Sequence, residues 1–225
     1  MKTGLVTGSQ PFAGLPDSPS QTLLSHLDGL EFGDVRIHTV ATDVSLERVA
    51  GNMAKLIAEH RPAFVVSLGL APGECVMRCE TTSINRLDFG VADNYGQRPA
   101  YGRPIDPDGP PARLATWDAH GLAARIRAAG LPARVSHFAG THLCNTTLYA
   151  ALGAMEAAGL DGPCGFFHLP YLPEQVARFM SEGPPGGDTA PLTPRALPSM
   201  ALADQIAGLR ILLAALSSTA NGDVS

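Results

Sequence analysis

The sequence predicts an α/β fold: a three-layer α/β/α sandwich around a central, mostly parallel sheet. Short, near-continuous apolar runs suit strands covered on both faces. Stretches of helical periodicity lie between them. The order β-α-β-α-β, a long insertion, then α-β-α-β-α is that of a sheet wrapped by helices. With 225 residues, 45% of them hydrophobic, the chain can bury a core without disulfides and is read as one domain, 1–225.

The expected strands are Lys2 to Thr7, Val35 to Val40, Ala63 to Leu70, Arg134 to Phe138 and Gly165 to Leu169. Ser20 to Leu27 is the first expected helix, with Ser18 as its cap. Leu46 to Glu59 places Val49, Met53, Leu56 and Ile57 on one helical face. Ala112 to Ala129 reads as a helix stopped by Gly130. Thr141 to Ala158 stacks Leu148, Leu152 and Met155. Pro173 to Met180 is short, and Pro194 to Leu216 holds a long final helix starting near Ser199, after Pro198. The stretch Ala71 to Pro111 is too long for an ordinary connection and reads as a functional excursion. Gly183 to Pro191 reads as irregular and mobile.

Several function classes lack support. A formal net charge of −5 gives no electrostatic reason to bind nucleic acid or an anionic membrane. No apolar run approaches the roughly 18 residues of a membrane span. The opening residues read as a strand rather than a signal-peptide core, so the cytoplasm is the expected location. Its reducing conditions suit four free cysteines. The low charged fraction, 16%, is compatible with a homo-oligomer that buries part of the surface. Cys75-x-x-x-Cys79 lacks a second pair or adjacent histidine, so no metal is expected. Gly8-x-x-x-x-Gly14 lacks the Lys-Ser/Thr of a phosphate loop. No cofactor is implied.

Four residues could carry chemistry. Cys144 follows a strand and a tight Ala139-Gly140 turn, in the first turn of the next helix. Unpaired N–H groups and partial positive charge at a helix start favour a thiolate. A small buried hydrophobe is the competing reading. His168 ends a strand, where ligands collect in open α/β sheets, and an imidazole is the usual partner of an activated sulfur. A carboxylate could orient it. Glu80 and Asp93 both lie in the long insertion, and pattern alone leaves that choice open.

At these residues the sequence resembles the pyroglutamyl peptidase I family of cysteine peptidases. Val6-Thr7-Gly8-Ser9-Gln10-Pro11-Phe12-Ala13-Gly14 resembles its opening V-T-G-F-x-P-F-G-G, and Ser18-Pro19-Ser20 its N-P-S. Gly69 to Gly73 resembles its glycine loop, and Glu80, Ile84-Asn85, Asp88 and Asp93-Asn94 its glutamate segment. Ala139-Gly140-Thr141-His142-Leu143-Cys144-Asn145 and Phe167-His168-Leu169-Pro170-Tyr171-Leu172-Pro173-Glu174-Gln175 resemble its cysteine and histidine motifs. The resemblance implies a phosphorylase/hydrolase-like sandwich and removal of an N-terminal 5-oxoproline from peptides. It makes Cys144 the nucleophile, His168 the base and acid, and Glu80 the orienting carboxylate. It assigns substrate binding to Ser9, Phe12, Leu70, His142 and Leu143.

The departures fall on the pocket and around the oxyanion. Ser9 stands for the family's first opening aromatic, and His142 for the aromatic or apolar residue two before the cysteine. Thr81, Glu74 and Gly90 stand where the family carries arginines. Losing one charged donor beside an oxyanion can cost about 3 kcal/mol of transition-state stabilisation. Arg78 and Arg86 are the nearby candidates to replace it. Three readings follow: a pyroglutamyl peptidase, a thiol amidohydrolase of the same fold with altered acyl or lactam specificity, and a non-catalytic binding relative.

Overall fold

Helices cover both faces of a seven-stranded sheet in the computed structural model of the protein, which describes residues 1–12, 15–182 and 196–220. The strands in chain order are β1 (Lys2–Ser9), β2 (Glu31–Phe32), β3 (Val35–Thr42), β4 (Phe64–Leu70), β5 (Met77–Glu80), β6 (Thr82–Ile84), β7 (Ala112–Leu114), β8 (Ala133–Ser136) and β9 (Cys164–Leu169). The helices are α1 (Pro19–Leu27), α2 (Val49–His60), α3 (Ala119–Ala128), α4 (Leu143–Ala157), α5 (Pro173–Glu182) and α6 (Leu202–Ala220). The main sheet runs β2-β3-β1-β4-β9-β5-β8, while β6 and β7 form a separate pair.

Alternation along the strands sorts the core into two layers. Val6, Val66, Phe64, Phe167 and Leu169 face α1, α3 and α6. Leu5, Val65 and Phe166 face α2 and α4. This is the expected sandwich. Strands β1, β3, β4 and β9 are parallel, so their carboxyl ends open together at one edge of the sheet. Among the described residues, no helix is long and apolar enough to cross a membrane.

The structure corrects four expectations. The insertion is not wholly irregular. It supplies β5, which enters the central sheet antiparallel to β9 and parallel to β8. Second, the stretch beginning at Ala112 starts as β7, and helix begins only at Ala119. Asp118 caps it by accepting the Gly121 N–H at 2.9 Å, while the Thr116 N–H bonds the Cys164 carbonyl at 3.0 Å and holds that stretch extended. Third, helix α2 begins at Val49 rather than Leu46; residues 46–48 form a turn whose Leu46 N–H bonds the Asp93 carboxylate at 2.8 Å.

Helix α6 starts later than Ser199. Ser199 bridges Tyr171, and the Met200 N–H bonds the Tyr171 carbonyl at 2.9 Å. The Ser18 cap is present, accepting from the Gln21 N–H. Pro194 and the stretch Gly183 to Pro191 lie outside the described residues, as do Ala13 and Gly14.

Buried Trp117 fixes the inserted strand. Its indole Nε1–H donates to the Glu80 carbonyl at 2.9 Å. Trp117→Phe removes this hydrogen bond and part of the ring that packs on Gly165. Expected is a loss of about 1–3 kcal/mol, read as a lower urea midpoint; an unchanged midpoint contradicts the role.

Candidate active site

A cavity of about 510 Å³ opens where the parallel strands end. Its wall includes Ser9 from the end of β1, Thr42 from β3, Leu70 from β4 and His168 from β9, with Cys144 from the first turn of α4. This is the crevice outside the strand carboxyl ends where open α/β sheets bind ligands.

Register brings the chemistry together. On β5, Arg78 stands opposite His168 of β9, and Glu80 opposite Phe166. On the other side they align with Arg134 and Ser136 of β8. Residues two apart share a face, so Arg78, Glu80, Ser136, Phe166 and His168 all turn toward the α4 layer. Cys79, between them, packs into the opposite core.

Glu80 is completely buried, and its Oε1 lies 2.7 Å from His168 Nδ1. An ionised carboxylate only accepts, so Nδ1 carries a proton and Nε2 is left for the thiol. Cys144 and this imidazole line the same cavity wall. Burial alone would lower the His168 pKa, but Cys144 and Glu80 outweigh it and hold the value up at about 9. Glu80 is likewise pulled two ways: burial raises its pKa, while His168, the Ser136 hydroxyl and Arg78 together bring it below the usual carboxylate value. Arg78 Nη2 is 2.7 Å from the same Oε1.

The turn before α4 seats the thiol. Gly140 has φ +87°, a conformation only glycine adopts readily. The Thr141 hydroxyl donates to the Asp88 carbonyl at 2.7 Å. Buried Asn145 clamps the insertion, accepting from the Ile84 N–H at 2.9 Å and donating to the Ile84 carbonyl at 2.8 Å. No side chain caps the helix start, so the first-turn N–H groups stay unbonded by a cap beside the cavity. Across from it, a Cβ on Gly69 would lie 2.7 Å from the Phe166 ring and 3.1 Å from Cys144 Sγ. Glycine at this position leaves room for the sulfur.

The expected pocket residues all line the cavity: Ser9, Phe12, Leu70, His142 and Leu143. The Ser9 hydroxyl already bonds that of Ser20, at 3.1 Å. His142 sits between Phe12 and Phe89, with ring centroids 5.0 and 4.2 Å away. Its Nε2 is buried without a hydrogen-bond partner. Burial pushes its pKa down to about 4.

Asp93 lies elsewhere. Burial would raise its pKa, but the N–H groups of Leu46, Gln97 and Tyr95 bond it and lower the value, so it organises a turn. Arg86 also lies apart, bonding Asp88 near the surface at 3.0 and 2.8 Å. Thr81 bonds His137, and the Tyr101 hydroxyl fills the space beside Gly90. Burial pushes the Cys79 and Cys164 thiols up to about 12, while Cys75 is exposed. Trp117, and the roles of Ser136, Thr141 and Asn145, were not anticipated by sequence reasoning; of the two arginines it named, Arg78 is the one the register brings to the site.

A thiol, an imidazole and a buried carboxylate converging at one sheet edge belong to the class of cysteine-type hydrolases. The chain is a member of the pyroglutamyl peptidase family, whose family model matches residues 2–219. It is 36% identical to a pyrrolidone-carboxylate peptidase of Cupriavidus taiwanensis, over 97% of this chain and 94% of the relative. It is 32% identical to that of Thermococcus litoralis, over 78% and 80%. Among solved structures, a mutant pyrrolidone carboxyl peptidase of Pyrococcus furiosus superimposes with TM-score 0.87 at 26% identity, covering 96% of this chain and 98% of that one. The Thermococcus litoralis structure gives 0.85 at 27%, over 100% and 99%.

His142 makes an acid-side prediction. Its folded pKa lies below the ordinary 6.5. The stability it contributes is therefore present above about 6.5 and lost as pH falls from there toward 4. Removing it should flatten that loss by up to about 1.4 kcal/mol per pH unit. Urea unfolding of the parent and His142→Phe across this window checks it; parallel pH profiles contradict it.

Proposed function

We propose that this chain removes an N-terminal pyroglutamyl group from peptides through a thioester on Cys144. The 2.7 Å contact between His168 Nδ1 and Glu80 Oε1, beside the thiol, carries the reading. Family membership supports the substrate class.

The thiolate of Cys144 attacks the pyroglutamyl carbonyl carbon, forming the C–S bond and an oxyanion. The backbone N–H of Cys144, in an uncapped first turn, donates to that oxyanion. His168 gives its Nε2 proton to the leaving amine as the C–N bond breaks. A water then yields a proton to His168 and attacks the thioester. Sulfur leaves, and pyroglutamate is released with the ion pair restored. Glu80 keeps the imidazole in the tautomer and orientation these transfers need. Phe12, Leu70 and Leu143 form apolar walls for the lactam ring, with Ser9 and His142 at its polar side. No step requires a metal or organic cofactor. A free thiol nucleophile suits a reducing compartment such as the cytoplasm. Exposed Val91, Tyr101 and Phe138 are compatible with assembly of two or four copies.

The unpartnered Nε2 of His142 favours a second reading, in which the same chemistry acts on another small lactam or amide. A buried polar atom lacking a partner discriminates toward a substrate that supplies one.

The test is release of aminocoumarin from pyroglutamyl-aminocoumarin by the parent and Cys144→Ala. Expected is clear turnover in the parent and a loss of about 10⁴-fold or more in the variant. Turnover retained by the variant contradicts the nucleophile. An inactive parent whose Cys144 is still alkylated ahead of exposed Cys75 supports the second reading.

A further inference from the structure

Arg78 stands inside the site but is absent from the mechanism above. Its side chain is 16% exposed, and it lines the catalytic cavity. Nη2 lies 2.7 Å from Glu80 Oε1, 2.9 Å from Ser136 Oγ and 3.1 Å from the Phe138 carbonyl. Nη1 bonds Glu74 Oε1 at 3.1 Å, and Arg134 Nη2 reaches that same oxygen at 2.7 Å. Nε is buried without a partner. Nη1 and Nη2 are engaged by protein oxygens and Nε is buried, which argues against Arg78 as a replacement oxyanion donor.

Its contacts form a sequence of alternating charge. From the surface inward it runs Arg134, Glu74, Arg78, Glu80, His168 and Cys144. Three strands, one helix and the connection that holds Glu74 contribute, and the strand register sets Arg134, Arg78, Glu80 and His168 relative to one another. Asp17 and Asp43 are acids in the cavity wall. Asp17 is paired with Arg178 at 2.9 Å, and Asp43 accepts from the Tyr95 hydroxyl at 2.7 Å.

We infer that Arg78 is a positioning residue that acts through Glu80, as the permanent countercharge to the buried carboxylate throughout the catalytic cycle. The inference rests on the reading that Cys144, His168 and Glu80 do the chemistry. His168 balances Glu80 only while protonated. When it hands its proton to the leaving amine, Glu80 would become an unpaired anion with no solvent contact. Such a charge is strongly unfavourable, and it would hold the proton back on the imidazole. Arg78 never gives up its proton, so the carboxylate stays balanced and the imidazole can release.

The consequence is a displaced pH profile. Removing Arg78 leaves Glu80 to stabilise the imidazolium unopposed. In Arg78→Gln the alkaline limb of kcat/KM therefore moves up by about half a unit to one unit, and the optimum value falls about tenfold or more. Arg78→Lys keeps the charge and brings the limb back toward the parent. Glu74→Gln removes the residue that offsets Arg78 and moves the limb the other way, by less. A purely structural role lowers activity without this ordered set of shifts. An unmoved limb in Arg78→Gln, or Arg78→Lys no different from it, overturns the inference. If Arg78→Gln fails to fold by circular dichroism, the sign of the Glu74→Gln shift decides. Iodoacetamide alkylation of Cys144 against pH, in the same proteins, reads the charge balance without substrate: the profile is displaced in the same order, and profiles that coincide overturn the inference. Absent pyroglutamyl turnover in the parent counts against the proposed substrate and leaves the alkylation result to decide on Arg78.

Discussion

A carboxylate with no solvent contact, held 2.7 Å from an imidazole, is the constraint around which the rest of this molecule is arranged. Neither group would ionise readily alone in such a place. Together they can, provided the strands bearing them stay in register. That need accounts for the topology of the insertion. Strand β5 runs antiparallel to β9 and brings Glu80 and Arg78 to the face that carries His168. Trp117 holds the Glu80 backbone from one core layer, while Asn145 ties the following residues to the helix bearing Cys144. The thiol, the imidazole and the carboxylate are thus fixed by three separate packing arrangements.

The pocket shows a different balance. Its apolar walls, Phe12, Leu70 and Leu143, are compatible with a small lactam ring, but His142 places an unpaired nitrogen among them. Burial keeps that ring neutral near pH 7. A neutral imidazole can donate or accept according to its tautomer, and an aromatic hydrocarbon at this position could do neither. Around the carboxylate, Glu74 stands where the family carries an arginine. Arg78 pairs with it directly, so a guanidinium remains within this cluster though the charge at position 74 is reversed.

The central strands were legible from their apolar runs: β1, β4 and β9, buried on both faces, and half-buried β3 beside them fall close to their expected bounds. Strand β5 was not, for a physical reason. Met77-Arg78-Cys79-Glu80 alternates apolar and charged residues, which reads as a surface segment. Its charged face is instead buried against partners more than 50 residues away, Arg134, Ser136 and His168. Pattern could not separate Glu80 from Asp93 either, since both are acids in one Gly- and Pro-rich stretch. Register separates them: one faces His168, and the other collects backbone N–H groups in a turn. The late start of α3 has the same origin, in tertiary hydrogen bonds of Ala115 and Thr116 that helical periodicity does not report.

The dependence of the imidazole on the buried carboxylate can be measured directly. Nuclear magnetic resonance of the labelled His168 ring against pH, in the parent and in Glu80→Gln, reads its protonation without any substrate. Expected is an imidazole that stays protonated to about 9 in the parent and falls by at least about one unit in the variant. A parent ring that titrates at the ordinary histidine value, or a variant that titrates with the parent, would contradict the role given to Glu80.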